Sequence, residues 1–161
     1  MTIPRWNPPI ETTPQEEVLL SRLERVRKLF GFLRCHRHEI FDDDFQEELA
    51  QMYRQNGAGR TAIAPAQLAI ATLLQGYVGA SDAEAVELTV VDRRWQLVLD
   101  CLGADEPAFS QGILQRFRER LIEHDMDQRL LERTVEVAKA SGGFDYKKLP
   151  EAVRIAVDSA P

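Results

Sequence analysis

Cysteine is scarce in this chain. Two in 161 residues, Cys35 and Cys101, stand too far apart for a disulfide framework or a paired-thiolate zinc ribbon. They read as small core residues of a protein kept in a reducing compartment. Histidine is equally thin. His36 and His38 flank Arg37 beside Cys35, and His124 is the third; a zinc finger needs further ligands at fixed spacing, so a structural or surface role is the expectation for all three. No apolar run approaches the ~18–20 residues of a membrane span. The opening stretch, MTIPRWNPPIETTPQEE, lacks the basic-then-apolar layout of a secretion signal, so the expected location is cytoplasmic. Glycine motifs are missing as well. Gly57-Ala58-Gly59 has neither the third glycine nor the preceding strand of a dinucleotide fingerprint, and there is no phosphate loop and no G-x-S-x-G. Asp42-Asp43-Asp44 fails as a calcium loop because Glu47 occupies the sixth position, where that loop needs glycine. The acidic run reads as a helix start. No small-molecule substrate site is expected.

What remains is an ordinary globular composition, 44% hydrophobic and 29% charged. A chain of this length buries roughly two thirds of the surface that it exposes unfolded. The net charge of −6 argues against a protein that coats nucleic acid without specificity, yet it leaves room for a local basic face.

Periodicity predicts an all-α fold: a compact multi-helix bundle with a helix–turn–helix-like corner and a short extended segment at the C-terminus. Residues 1–15 hold four of the eight prolines and read as an extended arm with Trp6 as an anchor. Seven helical patterns follow. They run over about 15–33, with Gly31 fraying or kinking the end, then 43–55, a mostly apolar central helix from Pro65, 82–90, 93–102, 111–124 and 126–140. Ser81 with Glu84 forms a capping box, Ser110 caps the sixth helix, and Pro65 suits a first turn. The helical domain covers 16–143. Residues 144–161 change character, and Arg154–Asp158 reads as the start of a strand.

Three features bear on function. Leu73 to Val90 has a helix–turn–helix layout, but its second helix carries Asp82, Glu84 and Glu87 and no base, a poor reader of a phosphate-lined groove. The sixth helix presents Ile113, Leu114, Phe117 and Leu121 on one face and Arg116, Arg118 and Arg120 off that stripe. Ser110 and Gln111 stand at its N-terminus, where free N–H groups favour phosphate and where such residue types read base edges. The bland alternative has these arginines lying over the core and pairing with Glu119 and Glu123. A second basic run, Arg22, Arg25, Arg27, Lys28, Arg34 and Arg37, is opposed only by Glu24 between Arg22 and Arg37. It could track a phosphate backbone or form a solvated helix face.

Read in order, PAQLAIATLLQGYVGASDAEAVE, DRRWQLVLDCLG and PAFSQGILQRFRERLIEH resemble the N-terminal region of bacterial insertion-sequence transposases of the InsH type. The family patterns "G-x-SD-x-E-A", "D-x-RW" and "F-S-x-x-x-L-x-x-FR-x-RL" fit Ser81-Asp82, Asp92-Arg93-Arg94-Trp95 and Phe109 to Leu121. The resemblance spans roughly residues 14–158. It implies a helical domain that binds the ends of the element, followed by a ribonuclease-H-like domain whose DDE carboxylates hold divalent metal, magnesium or manganese. Arg154 to Pro161 is similar to the "R-x-A-x-DS-x-P" segment of that second domain, so the resemblance assigns Asp158 as the first catalytic, metal-holding aspartate. It also makes residues 144–161 a linker and first-strand remnant of a truncated catalytic domain. Two-metal chemistry needs several converging carboxylates. The expectation is a chain without cofactor or catalytic competence of its own, which contacts DNA through Ser110, Gln111, Arg116, Arg118, Arg120, Arg22, Arg25, Arg27 and Lys28. The rival expectation is an interaction module that dimerises or pairs with full-length transposase, a truncated form that modulates it or an inactive remnant.

Overall fold

The computed structural model describes residues 3–23, 28–54 and 63–142. Eight helices account for most of them: α1 (Pro14–Arg22), α2 (Lys28–Ile40), α3 (Asp43–Arg54), α4 (Pro65–Val78), α5 (Asp82–Val91), α6 (Arg93–Leu99), α7 (Gln111–Glu123) and α8 (Met126–Ser141). No strand occurs among the described residues. The expected C-terminal strand lies outside them.

Each start has a local cause. Thr13 opens α1 with a capping box closed by Glu16, and Ser81 does the same for α5 with Glu84. The Asp42 carboxylate accepts the Phe45 N–H at 2.9 Å and begins α3. Pro65 occupies the first turn of α4, where its missing N–H costs nothing, and Gly79 ends that helix in the left-handed region at φ 71°. Asp92 accepts the N–H groups of Arg94 and Trp95 and starts α6.

Helix α4 is the hub. Leu68, Ala69, Ile70, Leu73 and Leu74 are essentially inaccessible, and α2, α3, α5, α6 and α7 pack around it. A helix apolar on nearly every side has to be enclosed in this way. Trp95, Leu97, Val98 and Leu99 of α6 complete the core beside Leu29, Phe30 and Leu33 of α2.

Two expectations are corrected. The helix expected over 15–33 is two elements, and α2 runs seven residues past the expected end. Gly31 does not fray it; it lies inside α2 where α1 comes close, and a Cβ built there would sit 3.8 Å from Leu20 Cδ2. Helix α6 stops at Leu99, short of 102, because Asp100 takes the left-handed conformation at φ 58° and its N–H closes onto the Gln96 carbonyl. Asp tolerates that region better than most side chains.

The proline-rich arm is tied down along its length. Ile3 is buried. The Trp6 N–H donates to Gln46 Oε1 at 2.8 Å, and Gln46 Nε2 returns a bond to the Trp6 carbonyl at 3.0 Å. The Trp6 ring meets Phe41 edge-on, with the Arg37 guanidinium 5.5 Å from its centre.

Candidate nucleic-acid interface

Helix α7 is built from its N-cap inward. Ser110 Oγ accepts the Ile113 N–H at 3.2 Å, and the Leu114 N–H closes onto the Ser110 carbonyl. Leu114, Phe117 and Leu121 enter the core. The opposite side stays wet: Ser110, Gln111, Arg116, Glu119, Ile122 and Glu123 are exposed. The N–H groups of Gln111 and Gly112 are free, as the first N–H groups of a helix are by construction. The Arg116 side chain runs back along the helix toward them, because a Cβ placed on Gly112 would sit 3.4 Å from Arg116 Nη1. So Arg116 lies against Gly112 in the first turn, and Ser110 and Gln111 are exposed at the same end of the helix. Glu119 and Glu123 hold its C-terminal half, with Gln115 donating to Glu119 at 3.3 Å.

Arg118 is corrected. It is 1% exposed and cannot reach a phosphate. Its guanidinium forks onto Asp82, with Nη1 to Oδ1 and Nη2 to Oδ2 at 2.7 Å, and both side chains are 1% accessible. Gln75 Nε2 donates to the same carboxylate at 2.8 Å. Burial pushes the Asp82 carboxyl up, but the hydrogen bonds from Arg118 and Gln75 outweigh it and hold the group below the usual carboxylate range. Neither acidic neighbour on α7 takes part; the partner comes from α5.

Arg120 is half-buried. Its guanidinium lies 4.2 Å from the centre of the Tyr53 ring, and Nη1 donates to the Met52 carbonyl at 3.3 Å. It ties α7 to the end of α3.

The second basic run divides as well. Arg22 at the end of α1 and Lys28 at the start of α2 are exposed, whereas Arg25 and Arg27 lie outside the described residues. Arg34 is 1% exposed and Arg37 2%. Arg34 pairs with Glu16 at 2.7 Å and donates to the carbonyls of Ile10 and Glu11. The hydrogen bond from Arg34 draws the Glu16 carboxyl below its ordinary value. Arg37 donates to the carbonyls of Leu97, Val98 and Pro9, and burial, aided by the charge of Arg34, lowers it to about 10. These two arginines serve the fold. The main neighbours of α7 are α4, α5 and α8, so the α1–α2 cations and the α7 cation belong to separate packing seams.

The motif aspartate Asp92 is structural too. Arg94 folds onto it with Nη2 to Oδ2 at 2.6 Å and covers the Phe30 ring at 4.9 Å, while Trp95 is fully buried. Asp82 as the partner of Arg118, and Gln75 as a second donor to Asp82, were not foreseen from the sequence. The available signal was an arginine only just off the apolar stripe of α7, facing an acidic residue in the first turn of a helix that had to pack nearby.

The divalent metal implied by the resemblance finds no fitting ligand set among the described residues. No group of three His, Cys, Asp or Glu side chains converges among the described residues, and Asp158 lies outside them. No described helix is long and apolar enough to cross a membrane.

Comparison with known proteins identifies the family of these helices. A family model, Transposase domain (DUF772), matches residues 21–120, which takes in α2 to α6 and most of α7. No curated protein and no solved structure matches the chain. The matched span covers more than half of the sequence and includes Ser81-Asp82, Asp92 to Trp95 and Ser110 to Arg118, so the chain belongs to the DUF772 transposase domain family.

Proposed function

We propose that this chain is the DNA-engaging helical module of an insertion-sequence DDE transposase of the InsH type, and that it meets the ends of the element through the first turns of α7. The observation that carries the reading is the exposed guanidinium of Arg116, with no ion pair among the described residues, lying against Gly112 at the open N-terminal turn of α7. A helix N-terminus and a cation on one face attract a phosphate together. Ser110 and Gln111 stand at the same end with groups able to read base edges. Glu119 and Glu123 repel the backbone, which confines contact to the stretch from Ser110 to Arg116. Arg22 and Lys28, exposed on α1 and α2, offer further phosphate contacts, as Arg25 and Arg27 do by their place in the same basic run. Arg120 contributes only the positive field of its tethered guanidinium. Cleavage and strand transfer are assigned to a carboxylate domain that includes Asp158 and not to these helices.

The test is a fluorescence-anisotropy titration with a duplex of the element's terminal repeat and a scrambled duplex of equal length, each at two salt concentrations. The terminal repeat binds more tightly, and Arg116→Ala weakens binding to both duplexes and lowers the salt slope by about one. Equal affinity for the two duplexes together with an unchanged slope in Arg116→Ala defeats the reading.

A further inference from the structure

The buried polar cluster at the α4–α5–α7 junction does more than its pairwise bonds require. Gln75 sits in the last turn of α4, Asp82 in the first turn of α5, and Arg118 midway along α7; their exposures are 3%, 2% and 1%. The main chain of Gln75 also closes the intervening turn, since its carbonyl accepts both the Gly79 and Ala80 N–H groups at 2.9 and 3.1 Å. One residue therefore joins the α4–α5 corner to the network that holds α7.

Stability alone is a poor explanation for this arrangement. Two opposite charges leave water, and Gln75 Oε1 and Arg118 Nε remain without a hydrogen-bond partner. A well-packed apolar set of similar volume is commonly as stable as such a buried pair or more so. What apolar contacts lack is direction. A forked guanidinium–carboxylate pair fixes the plane and the azimuth of both groups, and Arg118 lies two residues from Arg116 on the same helix. We propose that Gln75, Asp82 and Arg118 form a positioning lock, which sets the rotation of α7 about its axis and thereby the presentation of Ser110, Gln111 and Arg116 to DNA. This rests on the DNA-facing reading of α7 given above. None of the three touches DNA; they act through the helix that does.

The test uses the full chain in four forms: wild type, the apolar pair Asp82→Leu/Arg118→Met, the conservative Arg118→Lys, and Arg118→Ala. Three quantities are read: the thermal midpoint, amide hydrogen exchange over residues 111–123 relative to α4, and affinity for the terminal-repeat duplex at two salt concentrations. The apolar pair keeps a midpoint near that of wild type, yet its α7 amides exchange faster and its DNA affinity falls about tenfold, as misplacement of a contact group by a fraction of an ångström does. Its salt slope is unchanged, because no phosphate contact is removed. Arg118→Lys recovers midpoint relative to Arg118→Ala but not affinity, since a lysine offers a point charge without the fork. An apolar pair with wild-type exchange in α7 and wild-type affinity overturns the proposal. If that pair does not fold, Arg118→Lys decides: wild-type exchange and affinity there overturn the lock. If wild type itself fails to prefer the terminal repeat, the DNA-facing reading has failed, and the exchange comparison still judges the lock on its own.

Discussion

Two seams bury arginine among the described residues, and they draw on different sets of acceptors. Between the N-terminal arm and α2, Arg37 bonds to the backbone carbonyls of Pro9, Leu97 and Val98, and Arg34 divides its bonds between the carbonyls of Ile10 and Glu11 and the Glu16 carboxylate. Between α5 and α7, Arg118 bonds to a carboxylate. The difference follows from the backbone on the far side. An extended arm and the end of α6 leave carbonyls with no internal partner, and burial requires that they find one. Mid-helix backbone has no carbonyl to spare, so a guanidinium buried there needs an anionic side chain. The chain holds sixteen arginines and four lysines, and the fork of donors on arginine suits both tasks. A basic residue in such a sequence is therefore as much an internal tie as a surface charge.

The contrast is sharpest when one partner is removed. Arg118→Ala strands the Asp82 carboxylate in the core, and a broken buried pair costs about 3–5 kcal/mol. In a domain of this size that is a fall of roughly 6–20 °C in the thermal midpoint, readable by circular dichroism. The double variant Asp82→Ala/Arg118→Ala is less destabilised than Arg118→Ala alone, because the uncompensated charge is gone. A double variant as unstable as the sum of its parts would place the two residues in separate networks.

Arg37→Met comes second. It leaves carbonyls unsatisfied but no opposing charge. With each stranded acceptor worth ~1–3 kcal/mol, and the methionine filling part of the space, a loss of about 2–4 kcal/mol in a urea melt is expected. Protease accessibility of the arm should rise with it, since Arg37 holds the Pro9 carbonyl and stacks on Trp6. A stable Arg37→Met with a protected arm would show that Trp6 and Gln46 anchor that segment unaided.

Acid reaches both seams, each through one carboxylate. Asp82 and Glu16 both titrate below their ordinary values in the folded chain. A carboxylate lowered by folding adds stability that is fully present above its unfolded value and is lost as pH falls through the folded one. Urea midpoints should therefore hold at neutral pH and decline below about pH 4. In Asp82→Asn the acid decline is shallower, with only the Glu16 contribution of this pair remaining. An equally steep decline in that variant would remove Asp82 from the acid-sensitive set.

Much of the fold was legible because its signals are local. Ser81 with Glu84, Ser110, Pro65 and Gly79 mark helix ends within a few residues of the chain, and all four do so in the structure. The misreadings had two sources. The extension of α2 past Gly31 goes with its packing against α4, α6 and α8, which are distant in sequence, and the early stop of α6 lies in Asp100 adopting a conformation that aspartate only tolerates. For the candidate site only exposure can be compared: Ser110 and Gln111 at the helix start and Arg116 off the apolar stripe are exposed, whereas Arg118 and Arg120, also off the stripe, are not. Arg118 lies 36 residues from its partner, and no window of the sequence contains both. The motifs that carried the family resemblance turn out to hold the bundle together: Asp82 meets Arg118, and Asp92 caps α6.

Ser110→Ala tests the shared duty of a cap that also faces outward. Losing the bond to the Ile113 N–H costs about 1 kcal/mol of stability, and the freed N–H joins those of Gln111 and Gly112 at the helix end. A urea titration checks the first effect. In the anisotropy assay the variant should lose less affinity than Arg116→Ala, because a backbone donor remains where the hydroxyl was.

The smallest stability effect belongs to Arg116, and that is its value. It is exposed and makes no ion pair among the described residues, so Arg116→Ala should shift stability by no more than about 0.5 kcal/mol, the range of an uninvolved surface change. Arg118→Ala, two residues on, should cost several times that. Any fall in DNA affinity in Arg116→Ala then reports a lost contact, free of the unfolding that clouds the same measurement at Arg118. The two arginines form a matched control on one helix: one changes the melt, the other the titration. If Arg116→Ala instead lowers the thermal midpoint as Arg118→Ala does, the guanidinium lying over Gly112 is a third internal tie, and the exposed face of α7 is left without a cation to offer.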